Sequence, residues 1–74
     1  MGFDTVEIVG ALPLTERELE IIAKIASGLQ TKEIAERLFI STATVKAHRR
    51  NIIRKMKVPN INAAMTGCLR AGLI

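Results

Sequence analysis

The chain has 74 residues, enough for a single compact domain with a small core, and it carries 11 Lys and Arg against 7 Asp and Glu, a net charge of +4. No acid follows Glu36, whereas residues 37–74 hold eight Lys and Arg, so the expected partner is a polyanion, either nucleic acid or an anionic membrane surface. Trp and Tyr are absent and there are only two Phe, which excludes the aromatic platform on which single strands and RNA bases stack and favours duplex DNA.

The amino-terminal segment, residues 1–13, shows no apolar period and is predicted to be a flexible arm, with the domain in residues 14–74. Thr15 and Glu18 have the spacing of a capping box and predict a helix that begins at Glu16. Gly28 can adopt the left-handed conformation that ends a helix, so this one should stop near Ser27. Its core face is expected to comprise Leu19, Ile22, Ala23 and Ala26, widened by Ile21 and Ile25.

A short second helix is predicted next. Thr31 is expected to cap it, and it should run over residues 32–38. Its inner face consists of Ile34, Ala35 and Leu38. A turn of three residues, 39–41, follows it.

A longer third helix, residues 42–56, is predicted from the Ser41 cap and from apolar residues that repeat at intervals of seven and four, namely Val45, Ile52 and Met56. Pro59 prevents its continuation because proline lacks an amide donor. Asn60 can cap a fourth helix, residues 61–71, which Gly72 ends. One stripe of this helix contains Ile61, Ala64, Met65 and Cys68.

Together these elements predict an all-α, four-helix domain in which the second and third helices form a helix-turn-helix unit. Ala35 is small enough to let the two helices cross closely, and Val45 anchors the third helix on the second. The third helix then turns a face of long cations and small residues away from the core, which is the composition that a major groove accepts. This outer face comprises Ala43, Lys46, Ala47, Arg50, Arg54 and Lys57.

The alternative for this face is an ordinary solvated surface. We consider it less favourable because the six cations from Lys46 to Lys57 have no acid to pair with and repel one another. His48 lies at the edge of the buried seam, where packing or capping is favoured over a phosphate contact. Cys68 is expected to be a small core residue, although the Ile61/Met65 stripe can also provide a dimer patch.

Many positions at fixed spacing resemble the LuxR-type DNA-binding domain, which is also the output module of NarL/FixJ response regulators. The matching residues are Leu14-Thr15-Glu16-Arg17-Glu18, Gly28-Leu29-Gln30-Thr31-Lys32-Glu33-Ile34-Ala35, Leu38, Ile40-Ser41, Thr44-Val45-Lys46, His48, Asn51-Ile52, Lys55-Met56, Ala64 and Gly72-Leu73-Ile74. The resemblance extends over residues 14–74 without a gap. It places the domain in the winged-helix-like superfamily, without a wing.

The resemblance implies that the third helix binds in the major groove of DNA and that the fourth helix mediates homodimerisation. By position it assigns base contacts to Lys46, Ala47 and Arg50. It assigns contacts with the DNA backbone to Thr31, Lys32, Ser41, Thr44, Arg54 and Lys55. Ile61, Met65 and Cys68 are the residues expected at the dimer interface.

Three positions depart from the family pattern. Ile61 replaces an Arg that many members have, and Gly67 inside the fourth helix should cost about 1 kcal/mol relative to Ala. Arg49 occupies a position that is commonly apolar, so its stem is expected to lie along the bundle edge while its guanidinium reaches solvent or phosphate.

The expected function is therefore sequence-specific binding of double-stranded DNA, by a transcription regulator or by the output domain of one, in the cytoplasm. RNA polymerase is a further candidate partner. The alternative is a helix-turn-helix protein-interaction module, similar to a sigma-factor domain attached to polymerase. A membrane-binding amphipathic protein is disfavoured because the apolar faces are needed for the core.

Other sites have no support in the sequence. A single Cys and a single His cannot form a zinc site, so we expect no metal and no cofactor, and we expect no small-molecule ligand in this domain. No pair of carboxylates, nucleophile with a base, or phosphate-binding loop is recognisable, so an enzyme is not expected.

Overall fold

The structure, a computed structural model, describes residues 14–74. This part of the chain folds into four helices and contains no strand. The helices are α1 (Glu16–Ala26), α2 (Thr31–Leu38), α3 (Thr42–Met56) and α4 (Ile61–Arg70). The predicted all-α, four-helix fold is confirmed, and the arm predicted for residues 1–13 lies outside the described residues.

Side chains cap three of the four helix starts as the sequence predicts. Thr15 Oγ1 accepts a hydrogen bond from the Glu18 amide at 3.1 Å, and Glu18 Oε1 accepts one from the Thr15 amide at 2.9 Å, which completes the capping box. Ser41 Oγ and Asn60 Oδ1 cap α3 and α4, where they accept from amides three residues later at 3.0 and 2.9 Å. Each bond satisfies an amide that the first turn of a helix leaves without a partner.

The start of α2 differs from the prediction. The helix begins at Thr31, and the capping residue is Gln30. The Gln30 amide donates to Glu33 Oε1 at 2.8 Å, so the acid three residues further on satisfies this helix start. Thr31 is therefore the first helical residue, and its hydroxyl is available for a contact outside the helix.

The ends of α1 and α2 depend on left-handed residues. Gly28 has φ 95° just after α1, as predicted. Phe39 takes the same region with φ 58° after α2, and the Ile40 amide donates back to the Ala35 carbonyl at 3.0 Å. This closing pattern turns the chain within three residues and directs it into α3. The Phe39 side chain is left 93% exposed.

The core consists of two clusters that share α1 and α3. One joins α1, α3 and α4 and contains Leu14, Ile22, Ile52, Ala64 and Cys68. The other joins α1, α2 and α3 and contains Ile21, Ile34, Ala35 and Val45. Neighbouring residues of a helix point about 100° apart, so Ile21 and Ile22 enter different clusters. The second cluster fixes the position of α3 against α2 and defines the helix-turn-helix unit.

Two details of packing depart from the sequence analysis. Ala26, predicted on the core face of α1, is exposed because the buried face centres on Ile21 and Ile22. A Cβ atom at Gly67 would lie 2.8 Å from Met56 Cε, so the terminal methyl group of Met56 occupies the space beside the glycine. This methyl group ends a flexible side chain and can move aside for a larger residue at position 67.

Candidate nucleic-acid interface

The outer face of α3 is exposed and basic. Val45 and Ile52 on its inner face are fully buried, which directs the opposite side of the helix towards solvent. Ala47 is half-buried on this outer face. The exposed residues of the face are Ala43, Lys46, Arg50, Arg54 and Lys57. The structure therefore brings the three predicted base-contacting residues, Lys46, Ala47 and Arg50, together on one accessible surface.

Hydroxyl groups lie at the starts of both helices of the unit. Ser41 and Thr44 are exposed at the start of α3, where their hydroxyl oxygens are 2.9 Å apart. Lys32 is exposed and Thr31 half-buried in the first turn of α2. The first turn of a helix presents free amides and a partial positive charge, so both places are favourable for an anion.

Arg49 connects α3 to the start of α2. Its Nη1 donates to Thr31 Oγ1 at 3.0 Å, across 18 positions of sequence, and both side chains are half-buried. The expectation that the Arg49 stem lies along the bundle edge agrees with this placement. The contact itself was not predicted, because no local spacing relates the two residues.

Lys55 forms an ion pair that the sequence analysis missed. Its Nζ donates to both carboxylate oxygens of Glu18, at 2.9 Å each, across 37 positions of sequence. The Glu18 side chain is 4% exposed and that of Lys55 is 29% exposed. The premise that the cations of α3 lack an acidic partner is therefore wrong for Lys55. Its pairing acid comes from α1 and holds the carboxyl end of α3 in place.

Arg54, one residue earlier, remains on the open surface. Its Nη2 donates to Asn51 Oδ1 at 3.0 Å within the same helix, and the side chain is exposed. Two neighbouring cations of α3 thus have different surroundings. Arg54 can turn to an external anion, whereas Lys55 would have to share its ammonium with Glu18.

His48 is half-buried, and its Nδ1 lies below the surface without a hydrogen-bonding partner among residues 14–74. Nδ1 enclosed in this way cannot reach a phosphate, so a phosphate contact of His48 would have to use Nε2. The burial of Nδ1 agrees with the packing role predicted from the sequence.

The residues predicted for the dimer patch on α4 differ in how far they are buried. Ile61 and Met65 are half-buried against the first core cluster, while Leu69, one turn beyond Met65, is 58% exposed. Cys68 is completely buried, and burial raises the pKa of its thiol. The sequence predicts Cys68 both for the core and for the dimer patch. Its complete burial places it in the core, where it has no exposed surface for contact with a second chain. Leu69 is the exposed apolar residue that the sequence analysis omitted.

Comparison with known proteins identifies the family. Residues 12–66 match the family described as bacterial regulatory proteins, luxR family. The chain belongs to this family. LuxR-family domains of this type are regulators and not enzymes, and transcription regulation is the function that membership indicates.

Individual relatives are similar over most of this chain. Transcriptional regulatory protein LnrK of Bacillus subtilis (strain 168) is 47% identical over 62 residues, which are 84% of this chain and 28% of that protein. Nitrate/nitrite response regulator protein NarP of Escherichia coli (strain K12) is 51% identical over 51 residues, 69% of this chain and 24% of NarP. The chain thus spans less than a third of the length of either relative.

A solved structure gives the same result. The crystal structure of response regulator ChrA, from a heme-sensing two-component system, superposes with a TM-score of 0.76 at 43% identity, over 82% of this chain and 30% of that one. The LuxR-type fold predicted from the sequence is confirmed. Within residues 14–74, no helix is both long and apolar enough to cross a membrane.

Proposed function

We propose that this LuxR-family domain binds duplex DNA sequence-specifically, with α3 in the major groove, and regulates transcription in the cytoplasm. The observation that carries the proposal is the exposed outer face of α3, where two long cations, Lys46 and Arg50, flank the short side chain of Ala47. Short residues let the helix approach the base edges, and the cations supply donors. Arg50 can hold O6 and N7 of a guanine with two parallel donors, and Lys46 can donate to the same acceptors.

The DNA backbone is proposed to pass over the helix starts and along the carboxyl half of α3. Thr31 and Lys32 would contact one strand from α2, and Ser41 and Thr44 from the start of α3, where free amides favour phosphate. Arg54 would contact a phosphate where α3 leaves the groove. Lys55 would do so more weakly, because Glu18 already holds its ammonium.

We further propose that two copies bind DNA together through α4. Ile61, Met65 and the exposed Leu69 lie four residues apart and therefore on one stripe of the helix. One module covers a single half-site, and two-fold operators supply the second contact. RNA polymerase is a proposed further partner at the promoter.

The experiment begins with selection of bound duplexes from a random library, which defines the preferred site. Arg50→Ala and Arg54→Ala are then compared on the preferred duplex and on a scrambled one at several salt concentrations, with Arg37→Ala as the control for loss of one charge on another helix. Arg50→Ala should weaken the preferred duplex by about 1 to 3 kcal/mol and the scrambled duplex much less. Arg54→Ala should weaken both equally and lower the salt slope by about one unit.

If Arg50→Ala weakens both duplexes in the same proportion, base recognition by α3 is wrong and the basic face acts only through its charge. If the chain has no salt-dependent affinity for duplex DNA, the protein-interaction module becomes the better explanation. Dimerisation is tested separately with Leu69→Glu on duplexes that carry one or two half-sites. The variant should lose cooperative binding to the two-site duplex and keep its single-site affinity; equal loss on both would contradict a role of α4 in pairing.

A further inference from the structure

A shallow recess runs along α3 beside the base-contacting face. It has a volume of about 290 Å³ and is lined by Lys46, Arg49, Arg50 and Ile53. These residues follow one another at intervals of three, one and three positions, which places them on a single stripe of the helix. The sequence assigns no contact with DNA to Ile53, and for Arg49 it leaves open whether the guanidinium reaches solvent or phosphate.

Ile53 is the apolar member of this lining. It is half-buried, yet neither of the two core clusters of residues 14–74 includes it. An apolar side chain that faces a recess rather than the core provides a surface for an apolar part of a ligand. The three cations around it provide donors for an anionic part, so the lining suits a molecule with both characters.

Among the cations of the recess, Arg49 is the one whose guanidinium is held by a hydrogen bond to another helix. Its Nη1 is bound to Thr31 Oγ1 at 3.0 Å, which uses one of the five N–H donors of the guanidinium. The remaining donors keep a defined plane and can bind a second acceptor, whereas a free Lys or Arg would first lose side-chain entropy. Thr31 thus orients Arg49 for an anion at the side of α3 that adjoins α2.

The position of the recess selects the ligand. In helix-turn-helix complexes the first helix of the unit crosses the DNA backbone while the second lies in the groove. The recess is lined by α3 alone: Lys46 and Arg50 also belong to the base-contacting face, and Arg49 joins the recess to the start of α2 through its bond to Thr31. The DNA component at such a boundary is the backbone, in which a deoxyribose carries the apolar surface and a phosphate the charge.

We propose that this recess binds one deoxyribose-phosphate unit of duplex DNA, with Arg49, oriented by Thr31, on the phosphate and Ile53 against the sugar. This inference rests on the proposed DNA-binding function and adds two residues to it. Because every nucleotide has the same backbone, Arg49 and Ile53 contribute to affinity for all sequences and not to discrimination among them.

The test uses Arg49→Gln, with Arg37→Gln as the control that removes the same charge from an exposed site on α2. Arg49→Gln should weaken preferred and scrambled duplexes alike, by about tenfold, and lower the salt slope by about one unit, while Arg37→Gln should change both quantities little. Arg49→Lys keeps the charge without the planar fork and should lose about threefold. Equal behaviour of Arg49→Gln and Arg37→Gln would overturn the proposal.

A second arm locates the phosphate. Neutral methylphosphonate is placed at one backbone position at a time in the preferred duplex, and each duplex is titrated with the wild type and with Arg49→Gln. At one position the substitution should weaken the wild type and leave Arg49→Gln unaffected. If the wild type binds DNA and no position behaves in this way, the recess does not bind the backbone; if the wild type binds no DNA, the proposed function itself fails.

The sugar contact is tested with Ile53→Ser, or with Ile53→Thr if the first variant has a lowered melting temperature. The folded variant should bind both duplexes several-fold more weakly with an unchanged salt slope, because no charge has been removed. Wild-type affinity of the folded variant would overturn the role of Ile53.

Discussion

Lys55→Met tests the ion pair that joins the carboxyl end of α3 to the start of α1. The substitution keeps most of the apolar stem and removes the ammonium, which leaves the Glu18 carboxylate with the Thr15 amide as its remaining partner. The Glu18 side chain is 4% exposed, so water cannot replace the lost donor efficiently. A buried carboxylate without a cation is unfavourable in the folded state alone, and the free energy of unfolding should fall.

The magnitude follows from the exposure of the two partners. Removal of one member of a fully buried pair costs roughly 3 to 5 kcal/mol, and because Lys55 is 29% exposed we expect about 2 to 3 kcal/mol here. In a domain of this size that corresponds to a fall of roughly 10 to 20 °C in melting temperature. Arg54→Met is the matched control, since Arg54 is exposed and bonded only within its own helix; it should cost less than about 0.5 kcal/mol.

The assay is thermal and urea unfolding of the wild type, Lys55→Met, Glu18→Gln and the double variant. The double variant should recover part of the loss, because Gln can still accept from the Thr15 amide and no charge stays buried. A coupling energy above about 1 kcal/mol is expected from the cycle. If Lys55→Met costs no more than Arg54→Met, or if the two single losses simply add, the pair does not hold α3 to α1 and our interpretation is refuted.

Three further predictions concern the core. Ala35→Leu should lower stability by about 1 to 3 kcal/mol in urea titration, because Ala35 is 4% exposed where α2 meets α3; unchanged stability would mean that the helices do not cross closely there. Gly67→Ala should realise only part of the gain of about 1 kcal/mol that helix propensity offers, because the new Cβ must displace Met56 Cε, the end of a flexible side chain. The gain from Gly67→Ala should be larger when Met56→Leu is already present. Failure of the second comparison would contradict the contact. The Cys68 thiol should be modified by a thiol reagent only at the rate of global or local opening, because it is completely buried and its pKa is raised. The unfolded thiol ionises first, so stability should fall as pH rises above about 8.5, and Cys68→Ala should abolish that contribution; rapid labelling of the native protein would contradict the burial.

The positions of the helices follow from signals that act within a few residues. The Thr15/Glu18 box, the Ser41 and Asn60 caps and the stop at Pro59 predict the helix limits to within a residue or two, because each depends on hydrogen bonds over three or four positions. The apolar period of α3 likewise predicts that Val45 and Ile52 are buried and that Lys46 and Arg50 share the exposed face. The predicted cap of α2 is wrong. Gln30 takes the capping position instead of Thr31, and Glu33 accepts the hydrogen bond of its amide.

Contacts between helices are decided by the tertiary structure. The sequence shows that Lys55 is a cation on α3 and Glu18 an acid on α1, but only the crossing of the helices brings Nζ within 2.9 Å of both carboxylate oxygens. The same holds for Arg49 and Thr31, which are 18 positions apart. The interval between such residues carries no information about their distance, because the distance depends on how the core packs and which rotamers it permits. Periodicity could therefore identify the basic face, while the packed fold determines which of its cations are already engaged within the protein.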